Sequence, residues 1–223
     1  MKTEYLLDKT ILAIAIAIPI LLIISSLQTP VNAAPPKADL DQLRNGPHDD
    51  PDNTNNWQNG NIGAQQGHYI EGYSIPYRCV MTDLPTGTPI TLTLGYDIKH
   101  SDRHAIDYLT HYNRIDTPSH EMVFGHLPEN INPLAGETGV SATVSTFTIP
   151  APSSENSPVS GQPTTSYNNL VANEGENSVK MTLFGGTITN IAYVSQGNLT
   201  TAQSETTISV TFTVNSSTAV LAW

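Results

Sequence analysis

One cysteine, nine lysines and arginines together, and no long apolar run after residue 24 set the limits on what this 223-residue chain can be. A lone Cys79 excludes an intramolecular disulfide, so stability must come from burial, sheet hydrogen bonding or bound ions. Cys79 lies in the apolar stretch Tyr77-Arg78-Cys79-Val80-Met81, which predicts a small buried hydrophobe rather than a reactive thiol. Against 20 Asp and Glu, the few cations leave a net charge of −11. Lys2 and Lys9 cancel Glu4 and Asp8, so the whole imbalance falls on the chain after residue 33. With no basic stripe to release counterions, nucleic acid and anionic membrane surfaces are excluded as partners. The same balance suits solubility, cation binding or a charged cell surface.

Catalytic signatures are also missing. The chain has no Gly-x-Ser-x-Gly elbow, no His-Glu-x-x-His pattern, no phosphate-cradling glycine loop and no dinucleotide fingerprint. No catalytic or cofactor-binding residue is therefore assigned, and the reading leans away from an enzyme.

What is present begins at the N-terminus. Ile11–Ile24 is apolar throughout, is preceded by Lys2 and Lys9, and is followed by Val31-Asn32-Ala33 before Ala34. This has the order of a secretory signal peptide with its cleavage site over residues 1–33. The run is shorter than the ~20 residues of a spanning helix. An uncleaved anchor over Leu6–Leu27 is the alternative, and it would be the chain's only contact with a membrane. Either way the remainder is addressed to the cell surface or beyond. Residues 34–56 are polar and turn-forming, and read as an acidic linker.

From Trp57 onwards the period is two. Ile90, Leu92, Leu94 and Tyr96 alternate with Thr91, Thr93 and Gly95. Ile208, Val210, Phe212 and Val214 alternate with Thr and Ser. Val179, Met181 and Leu183 repeat the pattern. So do Ile75, Tyr77, Cys79 and Met81, although Val80 is apolar on the other face. Val140, Ala142 and Val144 do the same before Phe147 and Ile149 change phase, as at a bulge. Val220 and Leu221 end the series. The spacing predicts an all-β domain over 57–223, an antiparallel two-layer sandwich of Ig-like or prealbumin-like type. Residues 150–178, rich in Pro, Ser, Asn and Gly, read as a long loop within it. One segment has the helical period: Ala105, Tyr108, Leu109 and Tyr112, with Ser101 as N-cap, predict a short helix over 102–112.

Two candidate ion sites follow. On the expected helix, His104, Asp107 and His111 fall on one face opposite the apolar stripe, a set suited to zinc or copper, with His100 nearby and His120 and His126 as possible loop ligands. Asp49, Asp50 and Asp52, with Asn53 and Asn55, offer hard oxygen donors to calcium but lack the glycine and distal Glu of an EF-hand. The alternatives are a solvated helix face and an acidic turn. Trp57, Tyr69, Tyr73, Tyr77, Tyr108 and Tyr112 are core aromatics or a sugar platform. Glu71 and Arg78 are placed to pair. Asn198-Leu199-Thr200 and Asn215-Ser216-Ser217 are glycosylation sequons at Asn198 and Asn215.

Trp57-Gln58-Asn59-Gly60-Asn61, the block His68-Tyr69-Ile70-Glu71-Gly72-Tyr73-Ser74-Ile75-Pro76-Tyr77-Arg78, and His104-Ala105-Ile106-Asp107-Tyr108-Leu109-Thr110 stand in order, followed by Phe184-Gly185-Gly186-Thr187-Ile188 and Val220-Leu221-Ala222-Trp223. The set resembles a group of uncharacterised exported and cell-surface proteins of archaea and bacteria. The resemblance implies a secreted β-rich surface domain, and a chain that continues past Trp223 in the longer members, so truncation at the C-terminus is expected here. Three functions remain open. The first is a non-enzymatic surface or envelope protein for adhesion, structure or assembly, with other surface proteins or glycans as partners. The second is an extracellular metal- or carbohydrate-binding module, and the third a secreted hydrolase.

Overall fold

Strands dominate the regular structure, as the period-two runs predict. The computed structural model describes residues 34–70, 72–115, 117–153 and 163–223. The expected signal or anchor over 1–33 lies outside the described residues, and the chain from Ala34 to Trp223 forms one compact unit.

Two antiparallel sheets make up the fold. The six-stranded sheet contains β1 (Lys37–Arg44), β2 (Asn56–Asn59), β3 (Tyr77–Thr82), β6 (Val144–Thr148), β7 (Lys180–Phe184) and β10 (Ala219–Ala222), in the order β2-β1-β3-β10-β7-β6. The four-stranded sheet contains β4 (Ile90–His100), β5 (Arg103–His104), β8 (Gly186–Ser195) and β9 (Ser204–Val214), in the order β5-β4-β9-β8. Ile208, Val210, Phe212 and Val214 are buried while the intervening Ser and Thr are not. They meet Met81, Met181, Leu183 and Leu221 of the other sheet in one apolar core. This is the sandwich that the alternation predicts.

The chain crosses between the sheets at Gly185-Gly186, where β7 hands over directly to β8. Gly185 has φ 94°, and a Cβ there would lie 2.9 Å from the carbonyl oxygen of Thr218. A Cβ on Gly186 would lie 2.2 Å from that of Thr213. Both positions need glycine because backbone fills the space where a side chain would start. The C-terminal strand β10 lies inside the sheet, between β3 and β7, and Trp223 exchanges two backbone hydrogen bonds with Tyr77.

Several segments depart from the sequence reading. The expected helix over 102–112 is absent. Ser101 and Asp102 have φ 50° and 64°, and His100 pairs with Arg103 across them. Two central residues at positive φ are the pattern of a tight hairpin, so the residues read as a helix cap instead turn β4 into β5. Ala105 and Ile106 then donate backbone N–H groups to Ile98 and Asp97 and continue along β4. Residues 34–56 are not simply a linker, because β1 occupies 37–44 and pairs with both β2 and β3. The stretch read as a long loop contains α2 (Pro163–Glu174), whose Tyr167 and Leu170 form a satellite cluster with Val179. In the 140–149 segment, Val140 makes an isolated parallel bridge to Thr218, and the strand itself begins at Val144 and runs in unbroken register with β7 to Thr148. Val144 faces solvent at 55% exposure while Ile149 is fully buried, so the phase change marks the strand's start and no bulge.

Candidate metal centre

The site is built on irregular chain between the strands. Asn45 and Gly46 follow β1, His68 sits in the loop leading to β3, His120 is on α1 (Thr117–Phe124), and His126 and Glu129 follow α1. Among the described residues, His68, His120, His126 and Glu129 are the group of His, Cys, Asp or Glu side chains that converges, each offering one ligand atom within 4.8 Å of the others.

The Glu129 carboxylate lies within 4 Å of a ring nitrogen of each histidine. Glu129 Oε1 lies 3.5 Å from His68 Nε2 and 3.3 Å from His126 Nδ1. Glu129 Oε2 lies 3.8 Å from His120 Nε2. Metal–ligand bonds of about 2.0–2.1 Å in a tetrahedron place neighbouring ligand atoms roughly 3.3 Å apart. The side chains of His68, His120 and Glu129 are 4–5% exposed, and that of His126 is 23% exposed.

The surrounding groups fix each ligand's orientation. His68 Nδ1 lies 2.8 Å from the carbonyl oxygen of Gly46. Donation there puts the proton on Nδ1 and leaves the Nε2 lone pair facing the cluster. His120 Nδ1 lies 3.1 Å from the carbonyl of His126, with the same consequence for its Nε2. A ligating imidazole characteristically spends its other nitrogen on a carbonyl or carboxylate in this way. At His126, Nε2 lies 3.2 Å from the carbonyl of His48 and Nδ1 lies 2.9 Å from that of Leu127. Both carbonyls accept, so His126 can ligate through Nδ1 only with its proton on Nε2, donated to His48.

Asn45 ties two of the buried residues together. Its Oδ1 accepts from the His68 N–H, and its Nδ2 donates both to the His68 carbonyl and to Glu129 Oε2, all at 3.0 Å. That leaves Glu129 Oε1 without a hydrogen bond, and His68 Nε2 is in the same condition. Leaving a buried polar atom unsatisfied costs about 1–3 kcal/mol. Two such atoms facing each other across 3.5 Å call for a shared partner. Phe124 closes the apolar side, with its ring centroid 4.7 Å from that of His68 and 4.9 Å from that of His120. Gly46 has φ 77°, and a Cβ on it would lie 2.5 Å from the Asp50 carbonyl oxygen.

The sites read from sequence lie elsewhere. His104 and Asp107 are exposed on β5 and the chain after it, and His111 is half-buried, with Nδ1 accepting from the Asn113 N–H at 3.1 Å. Without the helix the three do not converge. His100 instead faces Asp97 at 3.2 Å. Asp49 and Asp50 are exposed, while Asp52 Oδ1 accepts from the Thr54 N–H at 2.8 Å and from its hydroxyl. Those bonds hold the Asp52 carboxyl below its ordinary value. Asp52 caps a turn, and the three aspartates do not gather round a common point. Asn198 and Asn215 are both exposed, and Asn215 Nδ2 donates to Thr143 Oγ1. Glu71 lies outside the described residues. Arg78 pairs instead with Asp41 and Glu137.

Two of the four cluster residues, His120 and His126, were legible as possible loop ligands without a common register. His68 and Glu129 were not. Asn45, Gly46 and the i, i+3 spacing of His126 and Glu129 were the available signals, but only tertiary structure brings His68 to them across β3. Comparison of the chain with protein-family models, curated proteins and solved structures finds no match.

Proposed function

We propose that this chain is an exported, non-catalytic β-sandwich module that holds one zinc ion at His68, His120, His126 and Glu129. The observation that carries the reading is the pair of orphaned, buried ligand atoms, His68 Nε2 and Glu129 Oε1, inside a convergent three-histidine, one-carboxylate set. Three neutral imidazoles and one carboxylate suit a borderline ion such as zinc and are poor donors for calcium or magnesium. Four protein donors complete a tetrahedron and leave no position for substrate, the arrangement of a structural site. The ion would join the loop carrying His68 to α1 and the chain after it. It replaces the disulfides that the single cysteine rules out.

The place of action we propose is the cell surface or envelope, in adhesion, structure or assembly. The apolar N-terminal segment, the net charge of −11 and the resemblance to exported surface proteins support it. Met122, Val123 and Leu127, 80%, 56% and 63% exposed on the segment the ion would fix, are available to a partner protein.

Metal analysis of the purified protein tests the central claim. About one zinc per chain is expected, with removal by chelator lowering the melting temperature by roughly 5–10 °C, as a ligand present at about 100 times its Kd would. Zinc binding no tighter than millimolar, with an unchanged melting temperature, sinks the reading.

A further inference from the structure

Four tyrosines and Trp223 gather at a second place. A cleft of about 630 Å3 opens between the loop before β3 and the chain after β5. Tyr69, Tyr73, Tyr77, Tyr108 and Trp223 line it. Trp57 and Tyr112 do not: Trp57 packs on Arg78, and Tyr112 meets Phe184. The volume lies within the ~300–1,000 Å3 range of small-molecule sites. We propose that this cleft binds a short neutral oligosaccharide.

Three observations select that class of ligand. First, the walls are amphipathic rings. Tyr73 and Tyr108 are half-buried in the cleft wall, while Trp223, which lies 5° from parallel with Tyr77 at a centroid distance of 6.0 Å, is 7% exposed and belongs to the core behind it. Aromatic rings of this kind take the C–H face of a pyranose while their polar ends meet its hydroxyls. Second, the strongest charge in the cleft is already neutralised. Arg114 donates through Nε and Nη2 to both carboxylate oxygens of Glu174 at 2.9 Å, and through Nη1 to the Gly72 carbonyl at 2.7 Å. The guanidinium also lies over Tyr73, 5.0 Å from its centroid. It therefore holds the wall in place and offers little to an anionic ligand. Third, the chain's charge of −11 repels phosphorylated, sulfated and acidic sugars. His104 and Asp107 bring exposed polar side chains to the rim, suited to sugar hydroxyls.

The proposal does not depend on the metal reading, although Tyr69 adjoins His68 in sequence. It is tested with the full chain, as purified, on an array of neutral and acidic oligosaccharides. Isothermal titration of the strongest binder then follows for wild type, Tyr108→Ala, Tyr108→Phe and Tyr73→Ala. The expected result is a neutral oligosaccharide bound with a micromolar to millimolar Kd. Tyr108→Ala or Tyr73→Ala should weaken it at least about tenfold, and Tyr108→Phe, which keeps the ring, should not. Because Tyr108 packs against Tyr167, Tyr73→Ala serves as the readout if Tyr108→Ala does not fold. Retention of acidic glycans alone, no retention of any neutral glycan, or equal affinity in both alanine variants overturns the proposal.

Discussion

Arg78 and Asp41 are register partners across the β1–β3 ladder, and Arg78 Nε donates to Asp41 Oδ2 at 2.9 Å with both residues buried. The remaining donors of the guanidinium reach out of the sheet. Nη1 donates to the carbonyls of Pro133 and Ala135, and Nη2 to Glu137 Oε1 at 2.8 Å. Trp57 covers the guanidinium, 4.9 Å from ring centroid to the charged carbon. One side chain thus binds β1, β3, β2 and the loop 133–137 together. Arg78→Ala leaves Asp41 buried without its cation and should destabilise by roughly 3–5 kcal/mol. Arg78→Lys keeps the charge but loses the planar fork and should recover only part of that loss. Urea unfolding of the two variants measures both, and full recovery by lysine would refute the role of the fork.

Asn45 makes a sharper test of the metal centre than any ligand does, because it touches no ion itself. Its amide orients His68 and Glu129 at once. Asn45→Ala should weaken zinc by roughly 10–100-fold, the usual effect of removing a group that orients ligands. Asn45→Asp should weaken it as well, since a carboxylate cannot donate to Glu129 Oε2. Competition with a chromophoric chelator reads both affinities, and an unchanged zinc affinity in both variants would remove Asn45 from the site.

The two principal strands of the core were legible in the sequence because their period is unambiguous. β9 and β4 carry apolar residues every second position, and their pairing, Ile90 with Phe212 through Leu94 with Ile208, follows that period. The misreadings have physical causes. Ser and Asp favour helix caps and tight turns alike, so Ser101-Asp102 alone could not decide between a helix and the hairpin that formed. β1 was hidden because only Asp41 and Leu43 in it are buried, and the first is a carboxylate whose partner Arg78 lies in another strand. α2 was hidden in a Pro-, Ser- and Asn-rich stretch. Its apolar face is short, Tyr167, Leu170 and Val171, and packs in a satellite cluster away from the main core. The cluster of three histidines and Glu129 was the least legible feature, since His120, His126 and Glu129 stand close in sequence but only the fold brings the distant His68 to them.

Cys79 is buried inside β3, and its thiol is pushed up to about 12, chiefly by burial and then by the charges of Asp39 and Asp41. The native protein should therefore react with a disulfide reagent at pH 8 at least roughly 100-fold more slowly than the unfolded chain, because only the thiolate attacks. A rate comparable to that of the unfolded chain would show that β3 opens freely.

His111 gives the fold a pH dependence of defined sign. Burial first, and then the charge of Lys180, lower its pKa below the ordinary 6.5. The unfolded chain therefore takes up a proton on this residue at a higher pH than the native protein does. Its contribution is intact above pH 6.5 and is lost as pH falls through the window below it. Protonation of Nδ1 would also break the bond it accepts from the Asn113 N–H. Denaturant midpoints at pH 7.5 and pH 5.5, with chelator present to remove any metal term, should show His111→Gln losing less stability on acidification than wild type. An identical loss in both proteins would assign the acid sensitivity to other groups.

Gly185 and Gly186 give the most local test of the sandwich. At Gly185 an alanine would have to adopt φ 94° with its Cβ 2.9 Å from one backbone oxygen and 3.2 Å from the Ala219 Cα. At Gly186 the nearest backbone oxygen is at 2.2 Å, closer than real Cβ atoms approach. Neither obstacle is a flexible side-chain end, so relief requires the β7–β8 corner or the β9 end to move. Gly185→Ala and Gly186→Ala should each cost about 2–4 kcal/mol, well above the ~1 kcal/mol typical of a point substitution. Gly87→Ala is the control, with φ 70° but nothing within 4 Å of its Cβ. It should cost only the strain of the left-handed conformation, about 1–2 kcal/mol. Thermal unfolding of the three variants ranks them, and a Gly185 variant no less stable than the Gly87 control would mean that the corner tolerates displacement and does not set the crossing between the sheets.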